Sequence, residues 1–254
     1  MTNMPSRARV KSVNTSLDVV QFLHRVGSAT IDDVATEVGI GTSTAHRHLM
    51  TLHDRGYIVV DGNEYALSLQ FLTHGGRSRE ALPANELINR KVRQLSEETS
   101  ERAQFIIEEH GERVYAYTHA GSNAVKTDAV IGKRGPLHVS AAGKAILANL
   151  SSNRREHLLN ETFDTGSDTD SSERERLNAE LKMVRERGYA FNDEGSTSGL
   201  RAVGVPVRHP NGTALGAISL SGPANRLTCE YYREEIPELL LGTVNEIELN
   251  IEYL

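Results

Sequence analysis

The stretch between residues 14 and 68 narrows the possible folds more than any other part of this chain. From 14 to 26 apolar residues recur as Leu17, Val20, Leu23 and Val26, the spacing of a helix with one buried stripe, and Gly27 ends it. Thr30 is placed to cap a short second helix with Ile31, Val34, Ala35 and Val38 inward, and Asp32 and Asp33 suit its positive N-terminal end. Gly39-Ile40-Gly41 makes a tight turn. A third helix follows, capped by Thr42 or Ser43, with Ala45, Leu49 and Leu52 inward and Gly56 closing it. Two β-prone runs, 57–60 and 64–68, flank Asp61-Gly62-Asn63, a hairpin signal. Three short helices and a hairpin in this order predict a winged helix-turn-helix.

The rest of the chain is long enough for a second domain, and 38% hydrophobic with 24% charged residues is an ordinary globular mix that excludes a mostly disordered chain. No run of eighteen apolar residues occurs, and the first twelve residues have no apolar core, so neither a membrane span nor a signal peptide is expected. The single cysteine, Cys229, excludes an intramolecular disulfide and a multi-cysteine metal cluster. The expected location is the cytoplasm, with no cofactor and no metal. The formal charge of −6 is uneven: residues 1–78 are neutral and carry five of the ten histidines, while residues 79–254 hold the whole excess of acid. Arg7, Arg9 and Lys11 make the tip basic, a hint of an anionic partner at that end. Arginine outnumbers lysine 22 to 6, which with many acids would suit a high-salt cytoplasm, though −6 is modest.

Beyond Gly75-Gly76-Arg77-Ser78, read as a break, residues 84–100 are helical with Leu87, Val92 and Leu95 apolar. Residues 103–109 and 113–118 read as strands about a turn at Gly111, and 141–150 and 173–186 as helices, the second entered from a polar loop at 167–176. Residues 190–192, 202–207 and 215–221 read as strands, and 228–253 as a helix interrupted by Pro237. The expected class is α+β. The expected division is a basic tail (1–11), a winged helix-turn-helix (12–74), a linker helix (75–100) and an effector-binding domain (101–254).

With Ala45, Leu49 and Leu52 buried, the third helix turns Thr42, Ser43, Thr44, His46 and Arg47 outward. Hydroxyls and amides at a helix start can bond phosphate, and an arginine can reach a guanine edge or a backbone oxygen. A capped surface helix with one arginine would look similar; the hairpin that follows favours DNA reading. The wing tip carries Asp61 and Glu64 but no Lys or Arg, so phosphate would repel it; the basic tail could compensate in an adjacent minor groove.

These residues, with SLDVVQFL, TIDDVATEVGIGTSTAHRHLMTLHDRGYI and YALS in the first part and GPLHVSAAGKAILA, VRERGYAFNDE, GLRAVGVPV and AISLSGPANRLT in the second, resemble the IclR family of transcriptional regulators along nearly the whole chain and in family order. The resemblance implies a winged helix, a linker helix, a GAF-like effector domain, and dimers that often pair into tetramers. It carries effector contacts over to Ala141, Ala142, Gly143, Asn192, Asp193, Ala202, Ser219 and Ser221, and it implies small organic acids, or aromatic and sugar acids, as the class of ligand. Asn192 stands where many members have an acid, Ala202 where many have cysteine, and Thr42 where members often carry Arg or Lys. The residues themselves agree with a pocket. Small Ala141, Ala142 and Gly143 open a helix whose amides suit a carboxylate, and Ser219 and Ser221 alternate onto one strand face. A plainer reading has His138 and Ser140 only capping the helix and the serines bonding neighbouring backbone.

Two rival functions stay open on the residues alone. An enzyme is disfavoured: Gly143-Lys144-Ala145 resembles the end of a phosphate loop, but His138 and Ala145 break the pattern, and there is no GxSxG, GxGxxG or HExxH. A small-molecule sensor acting through protein contacts, without DNA, draws support from the acidic wing and Thr42. The expected partners are double-stranded operator DNA, a small organic acid and further copies of the chain, with no membrane.

Overall fold

A computed structural model describes residues 10–163, 168–195 and 198–253 of the 254-residue chain. The chain divides into two units, Met1–Ser78 and Arg79–Leu254. Arg7 and Arg9 of the basic tip lie outside the described residues; Lys11 opens the first helix.

The first unit holds α1 (Lys11–Val26), α2 (Ile31–Val38) and α3 (Thr42–Asp54) over a small antiparallel sheet of β1 (Ser28–Ala29), β2 (Ile58–Asp61) and β3 (Glu64–Leu67), in the order β1-β3-β2. Its core is Val19, Phe22, Leu23, Val34, Ala35, Ala45, Leu49, Ile58 and Tyr65. The buried stripe of α1 differs in phase from the expected one. Val19 and Phe22 are buried beside Leu23, whereas Leu17 and Val26 are about half exposed. Both phases fit a 3–4 spacing, and the one that buries the aromatic ring removes more apolar area from water. α2 is capped as expected, and reciprocally: Asp33 N–H donates to Thr30 Oγ1 (3.3 Å), and Thr30 N–H donates to Asp33 Oδ2 (3.0 Å). The Thr30 bonds hold the Asp33 carboxyl below its ordinary range. α3 departs from expectation at its start. Gly41, not Thr42 or Ser43, is the cap, with no side-chain acceptor. Gly41 O already takes the N–H groups of Thr44 and Ala45, which places Thr42 and Ser43 inside the first turn with their side chains exposed. The hairpin has a two-residue loop, Gly62-Asn63, between paired Asp61 and Glu64.

Residues 75–78 do not break the helix, although the division between the two units falls at Ser78. α4 (Gln70–Glu80) runs through Gly75 and Gly76 and buries none of its residues. Tyr57 steadies its first turns, packing on Phe71 and bonding His74 Nε2 through its hydroxyl (3.0 Å). The expected linker helix over 75–100 is therefore the end of α4, a turn, and α5 (Asn85–Thr99), with Ala84 in the left-handed conformation between them. α5 buries Ile88, Val92 and Leu95 in the core of the second unit.

The second unit is an antiparallel six-stranded sheet in the order β6-β5-β4-β9-β8-β7, made of β4 (Arg102–Glu109), β5 (Glu112–Ala120), β6 (Arg134–Pro136), β7 (Ala190–Asp193), β8 (Leu200–Arg208) and β9 (Ala214–Pro223). β4 and β5 meet through His110-Gly111, both at positive φ, the backbone of a tight two-residue hairpin. α5 and α9 (Ile236–Glu252) cover one face through Phe105, Val203, Val205, Ile218 and Leu220. α6 (Ala141–Asn149), α7 (Ser152–Phe163) and α8 (Asp168–Arg187) cover the other. β6 and α7 were not foreseen, and α8 begins within the stretch read as a polar loop. That stretch is rich in Asp, Ser and Glu, residues that suit a helix N-terminus as well as a loop. The helix expected over 228–253 runs from Cys229 to Glu252, and its interruption is a π-helical turn at Tyr231–Glu235, just before Pro237, that leads into α9. No helix among the described residues is long and apolar enough to cross a membrane.

Candidate functional site

Two surfaces answer to the candidate residues, one in each unit. In the first, Ala45 and Leu49 anchor α3, and Thr42, Ser43, His46 and Arg47 are exposed with Thr44 half-buried. Arg47 Nη2 donates to Thr44 Oγ1 at 3.3 Å, one turn earlier on the same face. The structure adds residues that helix periodicity alone did not single out. Lys11, Ser12 and Thr15 from α1 line an open groove with Gly41, Thr44 and Arg47. His48 turns away from His46 and meets Ser16 (2.8 Å), fastening α3 to α1. The wing tip is acidic as read, but Glu64 is engaged, accepting a hydrogen bond from Ser28 of β1 (2.5 Å).

The second surface is a cavity of about 180 Å3 in the Arg79–Leu254 unit. Sheet alternation builds it. Val203, Val205, Ile218 and Leu220 point to the α5–α9 face, so Ala202, Ser219 and Ser221 point to the other. The ladder sets Asn192 beside Ala202, Ala202 beside Ser221, and Gln104 beside Ser219. The start of α6 closes the space with Ala141 and Ala142. Gly204 is what lets it come so close: a Cβ there would lie 2.5 Å from Ala141 C and Ala142 N. Six of the eight carried-over residues therefore line one cavity: Ala141, Ala142, Asn192, Ala202, Ser219 and Ser221.

The other two do not line it. Gly143 N–H donates to the Ser140 side chain (3.1 Å), and its α-carbon is pressed so close to Leu137 that a Cβ would sit 1.9 Å from the carbonyl oxygen. Its smallness serves packing. Asp193 accepts from Arg201 Nε (2.7 Å) and is largely exposed. Arg201 in turn donates to Leu227 O (2.9 Å) and lies over the Tyr232 ring, whose hydroxyl burial pushes its pKa up. Lys144, the residue of the broken phosphate-loop pattern, bonds Glu180 of α8 (2.8 Å).

The hydrogen-bonding capacity inside the cavity is specific. Ser140 satisfies one amide at the start of α6; Ala141 and Ala142 have no acceptor within the helix, as first-turn amides never do. Ser219 is buried and donates to Val203 O (2.9 Å), so toward a ligand it can only accept. The plainer reading of the serines thus holds for Ser219. Ser221 makes no side-chain hydrogen bond among the described residues and keeps its donor. Sequence reading missed other contributors to the lining, among them Gln104, whose carboxamide is buried, and Arg113, Tyr115, Lys133 and Arg201. Alternation on β4 and β5 could have put Gln104 on the right face, but nothing local reveals that the loop carrying Lys133 returns to the cavity.

Family comparison agrees along the chain. Residues 13–62 match the IclR helix-turn-helix domain and residues 80–249 the bacterial transcriptional regulator IclR C-terminal model. A probable transcriptional regulator ArcR of Halobacterium salinarum is 30% identical, covering 96% of this chain and 95% of its own. The transcriptional repressor IclR of Escherichia coli is 26% identical over 88% of this chain and 84% of its own. Among solved structures, a putative regulator from Rhodococcus superposes with a TM-score of 0.81 at 25% identity, covering 96% of this chain and 99% of that one. An IclR homologue of Microbacterium hydrocarbonoxydans complexed with 4-hydroxybenzoate shares the fold, with a TM-score of 0.80 at 21% identity over 96% of this chain and 100% of that one. The relatives are transcriptional regulators, not enzymes. With both family models matched in order, this chain belongs to the IclR family of transcriptional regulators.

Proposed function

We propose that this regulator binds operator DNA through Thr42, Ser43, Thr44, His46 and Arg47 of α3, as a dimer or a tetramer in the cytoplasm, and senses a small organic acid to control metabolic genes. The observation that carries the sensing half is the gathering of the start of α6, Asn192 and the Ser221 hydroxyl around one small cavity. A helix start favours an anion, by about 0.3–1 kcal/mol when exposed and more when partly buried. Asn192 supports the choice of an acid, because a carboxamide there does not repel a carboxylate as Asp or Glu would. The 4-hydroxybenzoate of the Microbacterium homologue is a ligand of this class.

Self-association draws its support from the first unit. Val13 and Leu17 share a face of α1, and Leu69 and Leu72 stand at and before the start of α4; all four are more than half exposed. The apolar stripe at 84–100 offers no such face, because it packs within the chain's own second unit. Two-fold pairing would present two copies of α3 to an inverted repeat.

The test is titration of the full chain against DNA upstream of its own gene and its neighbours, with and without a panel of small acids. Salt-sensitive binding to one site, shifted by an acid, is expected. An acid that binds the protein while no DNA is bound would favour a sensor working through protein contacts.

A further inference from the structure

The cavity has a second polar end. Arg113 of β5 lines it from a position two strands and four ladder places away from Ser219, on the order of 15 Å between backbones. Its Nε and Nη1 are buried and reach no acceptor among the described residues. The guanidinium lies against the Tyr115 ring, 5.8 Å from its centre, and crowds the backbone of Gly135 on β6. The other two cations lining the cavity each have a carboxylate: Lys133 bonds Asp128, and Arg201 bonds Asp193. Asp128 stands near enough to feel Arg113, but it is committed to Lys133 and largely in solvent. Glu108, opposite Arg113 in the ladder, is held by Arg154 (2.7 Å) and the Gly111 N–H (2.7 Å), so among the described residues Arg113 forms no ion pair.

Buried N–H donors of a charged group without an acceptor are costly in a folded protein and are a place where a ligand atom belongs. A guanidinium is matched in shape to the two oxygens of a carboxylate. We propose that Arg113 is the second anchor of the effector site, and that the effector carries two anionic groups. One meets Ser221, Asn192 and the start of α6; the other meets Arg113. This rests on the reading of the same cavity as the effector site.

The experiment is calorimetric titration of the full chain with straight-chain dicarboxylates of four to seven carbons against monocarboxylates of the same length, and with benzene-1,4-dicarboxylate against benzoate. At least one diacid should bind tenfold or more tighter than its monoacid partner, roughly the strength of one hydrogen bond to a charged group. Arg113→Gln should abolish that preference by weakening the diacid tenfold or more beyond any effect on its monoacid partner, and Ser221→Ala should weaken both acids in parallel. Diacids bound no better than monoacids, or a preference that survives Arg113→Gln, would overturn the role of Arg113 while sparing the effector site. Binding of no acid at all would overturn both. Arg113→Met separates a ligand role from a structural one. It removes donors without acceptors, so the ligand-free variant should melt no lower than wild type. A clear drop, with the acid preference intact in Arg113→Gln, would make Arg113 structural.

Discussion

At single residues, exposure and partner decide the role. Arg47 is exposed, and among the described residues its side chain bonds Thr44 on its own helix. Arg47→Ala should weaken a cognate operator complex by about 1–3 kcal/mol if the guanidinium reads a base, with little change in melting temperature. Fluorescence anisotropy at matched salt checks this, and unchanged affinity removes Arg47 from the interface. Ser219 and Ser221 look alike in sequence but differ in kind, since the first is bonded to Val203 O and the second is not. Two histidines set a pH response. Burial pushes both His119 and His138 below the ordinary imidazole range, only partly opposed by Glu97 and Glu173 respectively. Each therefore takes up a proton more readily unfolded than folded, so stability should fall as pH drops from about 6.5 toward their lowered native values. Thermal unfolding from pH 7.5 to 5 should show the decline, and replacing both by Gln should flatten it.

Elements are held by local chemistry at their ends and by close approach between them. The Thr30–Asp33 box was legible because it needs only residues three apart. The start of α6 was legible as a helix start, but its depth was not. That depth depends on Gly204, sixty-odd residues later on β8, lying under Ala141 and Ala142. Gly204→Ala should push α6 off the sheet, costing about 1–3 kcal/mol by overpacking. Acid binding should fall further than operator binding in the absence of acid. If calorimetry finds acid affinity intact in a destabilised variant, the first-turn amides of α6 do not contact the ligand. α4 is the contrary case: two glycines, each unfavourable by about 1 kcal/mol in a helix, read locally as a break, yet the helix continues through them.

For the whole molecule, light scattering at micromolar concentration should give a dimer or a tetramer, and Leu17→Glu with Leu72→Glu should shift it toward monomer. A monomeric wild type would contradict the proposed assembly. Sensing and DNA binding must also be linked reciprocally. If an acid changes operator affinity by some factor, operator DNA must change acid affinity by the same factor. Calorimetric titration of the acid with and without a cognate duplex measures both sides of that cycle.

The two-part plan, the three helices with their hairpin, the central strands and the face that Ser219 and Ser221 share were determined by the sequence alone, because each rests on spacing within a few residues. The same holds for the outward set Thr42, Ser43, His46 and Arg47. Only the tertiary structure decided which phase of α1 is buried, since Val19-Phe22-Leu23 and Leu17-Val20-Leu23 satisfy one periodicity equally. It also took Gly143 and Asp193 out of the cavity and brought Gln104, Arg113 and Lys133 in. Those choices turn on which strands lie side by side and on where hydrogen bonds and ion pairs find their partners, and in a sheet ordered β6-β5-β4-β9-β8-β7 the partners on β4 and β9 are more than a hundred residues apart along the chain.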